Sequence, residues 1–333
     1  MKKEIILTGI KPTGTAHIGN YFGAIKPAIE FANQSDAKCF FFIADYHALN
    51  AIKTKEELKK YTYEIAASWL ACGLDPKKVV FYRQSDIPEV FELCSVLTNI
   101  TPKGLMNRAH AYKAIVEENV KKGAEVDNNV NMGLYNYPIL MAADILLFDT
   151  TKVPVGLDQK QHIEITRDIA MYFNKKYGEK LVIPEPLISE EVATIIGLDG
   201  RKMSKSYNNT IELFATDEQL KKIVSKIITD STEPDEPKSI DNTIYHLYKL
   251  FADAKEVKEF EKELKQGISW ADAKKKLYEK MTIVLTPLRE KYDYYINNPD
   301  IVGEILSNGK EEASKIAKET IFRVKEAIGV TLY

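Results

Sequence analysis

The sequence has little of what marks a disulfide-bonded or zinc-binding protein. Its 333 residues include only three cysteines, Cys39, Cys72 and Cys94. They are widely spaced and form no CxxC pair, so neither a disulfide framework nor a zinc site is indicated. We therefore expect the chain to work in a reducing compartment.

Long apolar runs and charge of one sign are missing too. The longest apolar run, residues 39–44, is too short to span a bilayer, and the first residues show no secretory signal. With 46 basic and 48 acidic side chains the formal net charge is −2, so any RNA contact must depend on a local patch. These absences predict a cytoplasmic protein with no membrane partner.

Short apolar strands alternate with helices in the first quarter of the chain. There is no GxGxxG after the first strand, so a dinucleotide enzyme is not supported. The strand–helix rhythm instead predicts an α/β fold with a doubly wound parallel sheet. Ligands bind at the carboxyl ends of the strands in such a sheet, where Gly9, Asp45 and His47 fall. The predicted strands cover residues 5–9, 39–44 and 79–82.

The pattern changes between about residues 90 and 135. A helical run ends near Leu97, and a stretch rich in Glu, Lys and Asn after Lys113 predicts an insertion with a flexible loop. An apolar helix resumes over residues 137–147, and a short strand follows at 153–156. Beyond Ser206 the chain is almost wholly helical with mixed charges, which predicts an α-helical C-terminal part.

The turn over residues 9–20 could hold a nucleotide. Two glycines and a proline let the backbone approach a ligand, and a helix that starts at Gly19 would point free N–H groups outward. His17 and Asn20 can donate hydrogen bonds to phosphate oxygens. The alternative is a plain strand-to-helix connection in which these polar residues only cap the helix.

A second candidate phosphate-binding segment is Lys202-Met203-Ser204-Lys205-Ser206, which we call the clamp. Its two ammonium groups suit the crowded negative charge of a triphosphate in the transition state. A solvated surface turn is the alternative for a short Lys/Ser loop. The phosphate-binding interpretation of the clamp is supported only if the N-terminal part of the chain forms a nucleotide-binding site beneath it.

Three residues in the middle of the chain share one helix face. Tyr137, Met141 and Asp144 are spaced i, i+4, i+7. An aromatic wall, a thioether and one carboxylate suit a flat ring with an N–H donor, and a ring without that donor would leave the carboxylate unpaired. The alternative is an ordinary core with one satisfied polar group.

These motifs resemble those of the class I aminoacyl-tRNA synthetases. His17-Ile18-Gly19-Asn20 is similar to their HIGH motif with Asn in place of the last His, a variant usual in the tryptophan and tyrosine branch, and the clamp matches KMSKS. Residues 136–162 and 45–48 resemble the tryptophanyl-tRNA synthetase family. In the tyrosyl family a tyrosine on the first strand helps to bind the phenol hydroxyl; residues 5–8 contain none, which favours indole.

The resemblance implies a domain plan. A Rossmann-like catalytic domain would cover residues 1–195, with a helical insertion over about 90–135 at the interface of a homodimer. Residues 196–290 would hold the clamp and a helical anticodon-binding domain, and helices over 291–333 would pack back on the catalytic domain.

It also implies roles for individual residues. Catalysis is expected to depend on His17, Asn20, Lys202 and Lys205. Tryptophan would contact Leu7, His47, Tyr137, Met141, Asp144, Val153, Val155 and Gln159. ATP would contact Lys11, Pro12, Thr13, Gly19, Asn20, Gly156, Leu157, Asp158, Ile195, Lys202, Met203, Ser204, Lys205 and Ser206. No metal site of the protein's own is expected, since Mg²⁺ would be carried by ATP.

The activity implied is that of a tryptophan–tRNA ligase, with L-tryptophan, ATP and tRNA(Trp) as partners. Three alternatives remain at this point. They are a tyrosyl-tRNA synthetase of the same branch, a non-catalytic RNA-binding paralogue, and a small-molecule nucleotidyltransferase that shares the first turn.

Overall fold

A computed structural model describes residues 4–156, 159–188 and 195–331. Within them, five parallel strands form one sheet in the order β3-β2-β1-β4-β5. The predicted doubly wound parallel sheet is confirmed. The strands are β1 (Ile5–Ile10), β2 (Lys38–Ile43), β3 (Val79–Arg83), β4 (Lys152–Val155) and β5 (Glu185–Ile188).

Helices surround this sheet and form the rest of the molecule. They are α1 (Ile18–Asn20), α2 (Lys26–Gln34), α3 (Asp45–Ala48), α4 (Lys55–Ala71), α5 (Glu89–Thr98), α6 (Lys103–Met106), α7 (His110–Lys121), α8 (Met132–Leu146), α9 (Lys160–Tyr177), α10 (Asp217–Ser225), α11 (Thr243–Phe251), α12 (Ala254–Gln266), α13 (Trp270–Asn297) and α14 (Pro299–Ile328). A π-helical turn, Tyr21–Ile25, joins α1 to α2. No helix in the described ranges has the length and apolar character that crossing a membrane requires.

Both faces of the sheet are buried, as expected for parallel strands covered by helices. Side chains alternate along each strand, so Ile6 and Phe41 pack with α2 and α4 on one face. Leu7 and Phe40 pack on the other face, against α5, α8, α9 and α14. The continuous apolar runs of β1 and β2 follow from this burial on both sides.

The helical C-terminal region shares its core with the first face of the sheet. Leu220, Leu277 and Leu285 belong to the same buried cluster as Trp69 of α4. Tyr63 of α4 also donates a hydrogen bond to the backbone carbonyl of Tyr295 in α13, at 2.5 Å. The predicted division near residue 290 falls within α13, which is continuous to Asn297.

The last helix, α14, returns to the sheet and covers the edge strand β3. At Gly309 the helix backbone comes so close that a Cβ would lie 1.8 Å from the carbonyl oxygen of Phe81. Ala313 and Ala317 continue this stripe of small residues and are fully buried. An ion pair of 2.7 Å between Lys38 and Glu312 adds to the contact. An edge covered in this way cannot pair with another chain.

The structure differs from the sequence-based expectations at two places. The strand β5 was not predicted, because Pro186 lies inside it and Pro184 directly precedes it, and proline is rare in strands other than edge strands. The flexible loop expected after Lys113 is shorter than predicted, because α7 continues to Lys121.

Candidate functional site

A cavity of about 560 Å³ opens at the carboxyl ends of the parallel strands. Its wall is formed by β1, β2, β4, α2 and α8, and its lining is mostly apolar. All eight residues predicted to contact the amino acid line it, although they come from five separate parts of the chain. They are Leu7, His47, Tyr137, Met141, Asp144, Val153, Val155 and Gln159.

Asp144 is the carboxylate of this cavity. It is only 2% exposed, and its Oδ2 lies 2.8 Å from His47 Nε2. The amide nitrogen of Gln84 lies 2.9 Å from each of its two oxygens. Burial raises the pKa of Asp144, while the hydrogen bonds from His47 and Gln84 act in the opposite direction. The two donors therefore offset part of the cost of burying the ionised carboxylate inside an apolar cavity.

Gln84 was not found by the sequence analysis. It directly follows β3 and is completely buried. The rule that polar residues after parallel strands meet at one edge of the sheet would have pointed to it, since it is the first residue after β3 and Asp45 is the second residue after the neighbouring β2.

Tyr137 lines the cavity and lies beside Lys11 of the first turn. Its hydroxyl hydrogen-bonds with Nε2 of the buried His162, and its ring packs edge-on against His47 with centroids 5.7 Å apart. Lys11 Nζ lies 5.0 Å from the centre of the Tyr137 ring, a cation–π geometry. Burial lowers the pKa of Lys11. Lys11 also lines the cavity, so it connects the two groups of predicted residues.

The turn that follows β1 leads into a compact helix start. Asn20 Oδ1 accepts the backbone N–H of His17 at 3.1 Å, which caps α1. Burial, with a smaller contribution from the Lys205 ammonium, lowers the pKa of His17 to about 4. His17 is therefore neutral at pH 7. Its buried Nδ1 has no hydrogen-bond partner within the described part of the chain.

The clamp lies directly over this turn. Lys205 Nζ donates to the carbonyl oxygen of Thr13 at 3.2 Å, and a Cβ on Gly14 would lie 2.7 Å from the same ammonium group. Met203 is buried, and its sulfur would be 3.3 Å from a Cβ on Gly19. Ser204 and Ser206 place their hydroxyls 2.9 Å apart. The structure thus brings together two predicted phosphate-binding segments whose contacting residues are 192 positions apart in the sequence.

Backbone hydrogen bonds hold the segment that follows the clamp to the same turn. Ile18 N–H donates to Ile211 at 2.9 Å, and Leu213 N–H donates to Ala16 at 3.0 Å. The buried Asn209, three residues beyond the clamp, accepts the N–H of Ser204 and donates to the carbonyl of Lys202. Its position between the two ends gives the loop a defined shape.

Most of the other predicted residues lie outside the cavity. Lys202 is exposed, and its ammonium makes no ion pair with any residue that the structure describes. The carbonyl of Ile195 accepts the N–H of Met203 at 2.8 Å. Lys113 pairs with Glu117 at the surface. Gly156 lines the cavity, whereas Leu157 and Asp158 fall outside the described residues. In the described ranges no group of three His, Cys, Asp or Glu side chains could hold a metal ion.

Comparison with known proteins gives consistent results. The family model described as tRNA synthetases class I (W and Y) matches residues 1–286. The tryptophan–tRNA ligase of Bordetella parapertussis is 52% identical over 328 residues, covering 98% of this chain and 73% of that protein. Its counterpart in Neisseria meningitidis is 49% identical and covers 99% of both. The crystal structure of Campylobacter jejuni tryptophanyl-tRNA synthetase, complexed with ADP and tryptophan, superposes with a TM-score of 0.89 at 45% identity, over 98% of this chain and 99% of that one.

Proposed function

This chain belongs to the class I tRNA synthetases of the tryptophan and tyrosine branch, and from that premise we propose that it is a tryptophan–tRNA ligase. It activates L-tryptophan with ATP, releases pyrophosphate and transfers the tryptophanyl group to the 3′ end of tRNA(Trp). The observation that carries the proposal is a buried carboxylate, Asp144, in an apolar cavity that is also lined by Lys11, two residues before the Thr13 carbonyl that the clamp contacts.

The indole ring fits the apolar part of the cavity, between Leu7, Met141 and the valines of β4. Its N–H donates to Asp144, the acidic residue that lines this cavity. A phenylalanine side chain would leave the remaining acceptor position of Asp144 unfilled, which makes discrimination strong. A tyrosine hydroxyl could donate to Asp144, but β1 presents Leu7 to the cavity and offers no phenol or amide to donate to the hydroxyl oxygen in return.

ATP is bound across the first turn and beneath the clamp. The neutral His17 can donate to a phosphate oxygen without adding charge. Lys205 already lies over Gly14, so it meets the pyrophosphate part of ATP as that part leaves. Lys202 is exposed and can close on the same phosphates when the loop moves.

The tryptophan carboxylate attacks the α-phosphorus, and pyrophosphate carries the electron pair away. The chain supplies position and positive charge, and no side-chain nucleophile is required. A hydroxyl of the terminal tRNA ribose then attacks the activated carbonyl, AMP leaves, and the ester forms. Mg²⁺ enters with ATP in this proposal and would neutralise phosphate charge.

The test is ATP–pyrophosphate exchange measured separately with tryptophan, tyrosine and phenylalanine. Exchange should depend on tryptophan. Asp144→Asn should lower kcat/KM for tryptophan about 10-fold to 100-fold, because a hydrogen bond to a buried charged group is lost. Lys205→Ala should reduce kcat, and Asp36→Asn, at an exposed position that does not line the cavity, should change neither. Exchange driven equally well by tyrosine would contradict the assignment.

We further infer a homodimer that forms through the insertion, and a cytoplasmic location. Tyr46 and Phe91 pack edge-on with ring centroids 4.6 Å apart, and both are partly exposed. The side chains of Leu49 and Met132 are 54% and 67% exposed and add apolar surface. These two residues lie close to each other, because their chain neighbours Asn50 and Gly133 are in contact. Exposed apolar groups of this kind support an interface.

The three free thiols support a reducing compartment.

A further inference from the structure

The buried amide of Gln84 has no part in the activity described so far. Its side chain is 0% exposed, and Nε2 lies 2.9 Å from both Oδ1 and Oδ2 of Asp144. It does not line the cavity, so any effect on a ligand must pass through the residues that it contacts, Asp144 and the backbone of Tyr46.

The orientation of this amide is fixed by its other end. Gln84 Oε1 accepts the backbone N–H of Tyr46 at 3.2 Å. A flipped amide would place its oxygen against the Asp144 carboxylate and its NH₂ group against the Tyr46 N–H, so both contacts would become repulsive. The donor end therefore has to face Asp144.

The contacts of Asp144 are unequal. Oδ2 accepts from His47 and Gln84, whereas Oδ1 accepts from Gln84 alone. A carboxylate oxygen can accept two hydrogen bonds, so Oδ1 keeps an open acceptor position. Without its donors, a carboxyl group buried to this extent would favour the protonated form, which can itself donate. The choice between an acceptor and a donor inside the cavity thus depends on the two neighbours.

We propose that Gln84 is a positioning residue for substrate specificity, which holds Asp144 as a fixed acceptor with Oδ1 open to the N–H of the ligand. This inference rests on the proposed function, because the ligand is taken to be tryptophan. Gln84 gives the site its preference for a ring that carries an N–H donor over a ring of the same shape without one.

The experiment compares tryptophan with its benzothiophene analogue, in which sulfur replaces the indole N–H. ATP–pyrophosphate exchange gives kcat/KM for each, and their ratio measures the preference for the donor. Gln84→Met keeps the length of the side chain and removes its three hydrogen bonds, two to Asp144 and one from the Tyr46 N–H. The ratio should fall about 10-fold or more, while KM for ATP stays within about twofold of the unsubstituted protein.

Gln161→Met is the matched control. Gln161 also uses both ends of its amide, accepting from His110 N–H and donating to the carbonyl of Arg108, but it lies outside the cavity. Its ratio should equal that of the unsubstituted protein. A purely structural role of Gln84 would instead lower kcat/KM for both amino acids equally and leave their ratio unchanged.

Gln84→Glu provides a second measurement on a nearly isosteric side chain. At low pH the introduced carboxyl group is protonated and can donate to Asp144 in place of the amide; at high pH both carboxyl groups ionise and repel. The preference for tryptophan should therefore fall as pH rises in Q84E, a pH dependence absent from the unsubstituted protein and from Q161M. If Q84M does not fold, this profile carries the test.

The outcomes separate the two proposals. Tryptophan-dependent exchange with a ratio unchanged in Q84M, or with no such pH dependence in Q84E, would overturn the role of Gln84 and leave the proposed function intact. No tryptophan-dependent exchange by the unsubstituted protein would overturn the proposed function itself.

Discussion

Single residues in this site owe their chemistry to what surrounds them. Lys11, His17 and Asp144 are ordinary ionisable groups whose pKa values are displaced chiefly by burial. In each case burial disfavours the charged form, so such a group can be ionised in the folded protein only beside a hydrogen-bonding or oppositely charged partner. Asp144 has Gln84 and His47 as donors, whereas the ring of His17 stays neutral.

The neutrality of His17 predicts a pH dependence of stability. The unfolded chain takes up a proton here below about pH 6.5, whereas the folded protein does so only below about 4. Because the unfolded state binds more protons between these values, the free energy of unfolding should decrease as pH is lowered from 6.5 towards 4. The loss attributable to this partly exposed group is on the order of 1 kcal/mol.

Urea unfolding of the protein and of His17→Gln at several pH values measures this effect. The slope between pH 6.5 and 4 should be smaller in His17→Gln. His110→Gln, at an exposed position, should keep the slope of the unsubstituted protein. Equal slopes in all three proteins would show that His17 titrates normally.

At the scale of an element, the turn after β1 depends on Gly14. This residue has φ of +117°, and the Lys205 ammonium occupies the space where its side chain would be. Gly14→Ala should cost about 1–2 kcal/mol of stability from backbone strain. It should also lower the exchange rate about 10-fold to 100-fold, because the clamp is displaced.

Gly73→Ala is the control that isolates the second effect. Gly73 also has a positive φ, +100°, but nothing lies within 4 Å of its missing side chain. Its stability loss should be similar and its exchange activity normal. Thermal melts and exchange assays on both variants test this; equal activity in the two would mean that Lys205 does not act from above Gly14.

Helix α14 offers a second paired test. A methyl group at Gly309 would collide with the backbone of Phe81, so Gly309→Ala should cost about 2–5 kcal/mol in the free energy of unfolding. Gly303 lies in the same helix with nothing within 4 Å, and Gly303→Ala should stabilise by about 0.5–1 kcal/mol. Chemical denaturation measures both. Changes of the same sign would contradict the close packing of α14 on β3.

Elements whose pattern and chemistry are local could be predicted from the sequence. The strands β1 to β4, the face shared by Tyr137, Met141 and Asp144, and the approach of the clamp to the first turn all followed from spacing or from motif pairs. The strand β5 was missed because Pro186 lies inside it and Pro184 precedes it, and proline is rare in strands. Gln84 was missed because it is a single amide whose importance depends on Asp144, 60 residues further along the chain. Contacts between residues that are distant in the sequence produce no local sequence pattern from which they could be predicted.

At the scale of the whole molecule, the proposed dimer can be tested through its exposed apolar surface. Phe91→Glu would place a charge on that surface beside Tyr46 and should shift the protein towards monomer in sedimentation velocity experiments. Ile283→Glu changes an apolar side chain of 67% exposure on α13 and should leave the assembly unchanged. A protein that is monomeric before substitution would contradict the dimer.

The return of α14 to β3 also has a consequence for how the protein is made. A ribosome releases the strands of the sheet long before it releases residues 309–324, which supply Gly309, Ala313, Ala317, Ile321 and Val324 to cover them. During that interval the outer strand has an open edge that can pair with a neighbouring nascent chain. Synthesis therefore passes through a vulnerable stage that ends only when the final helix docks, and a stop codon after α13 would leave every copy in that stage permanently.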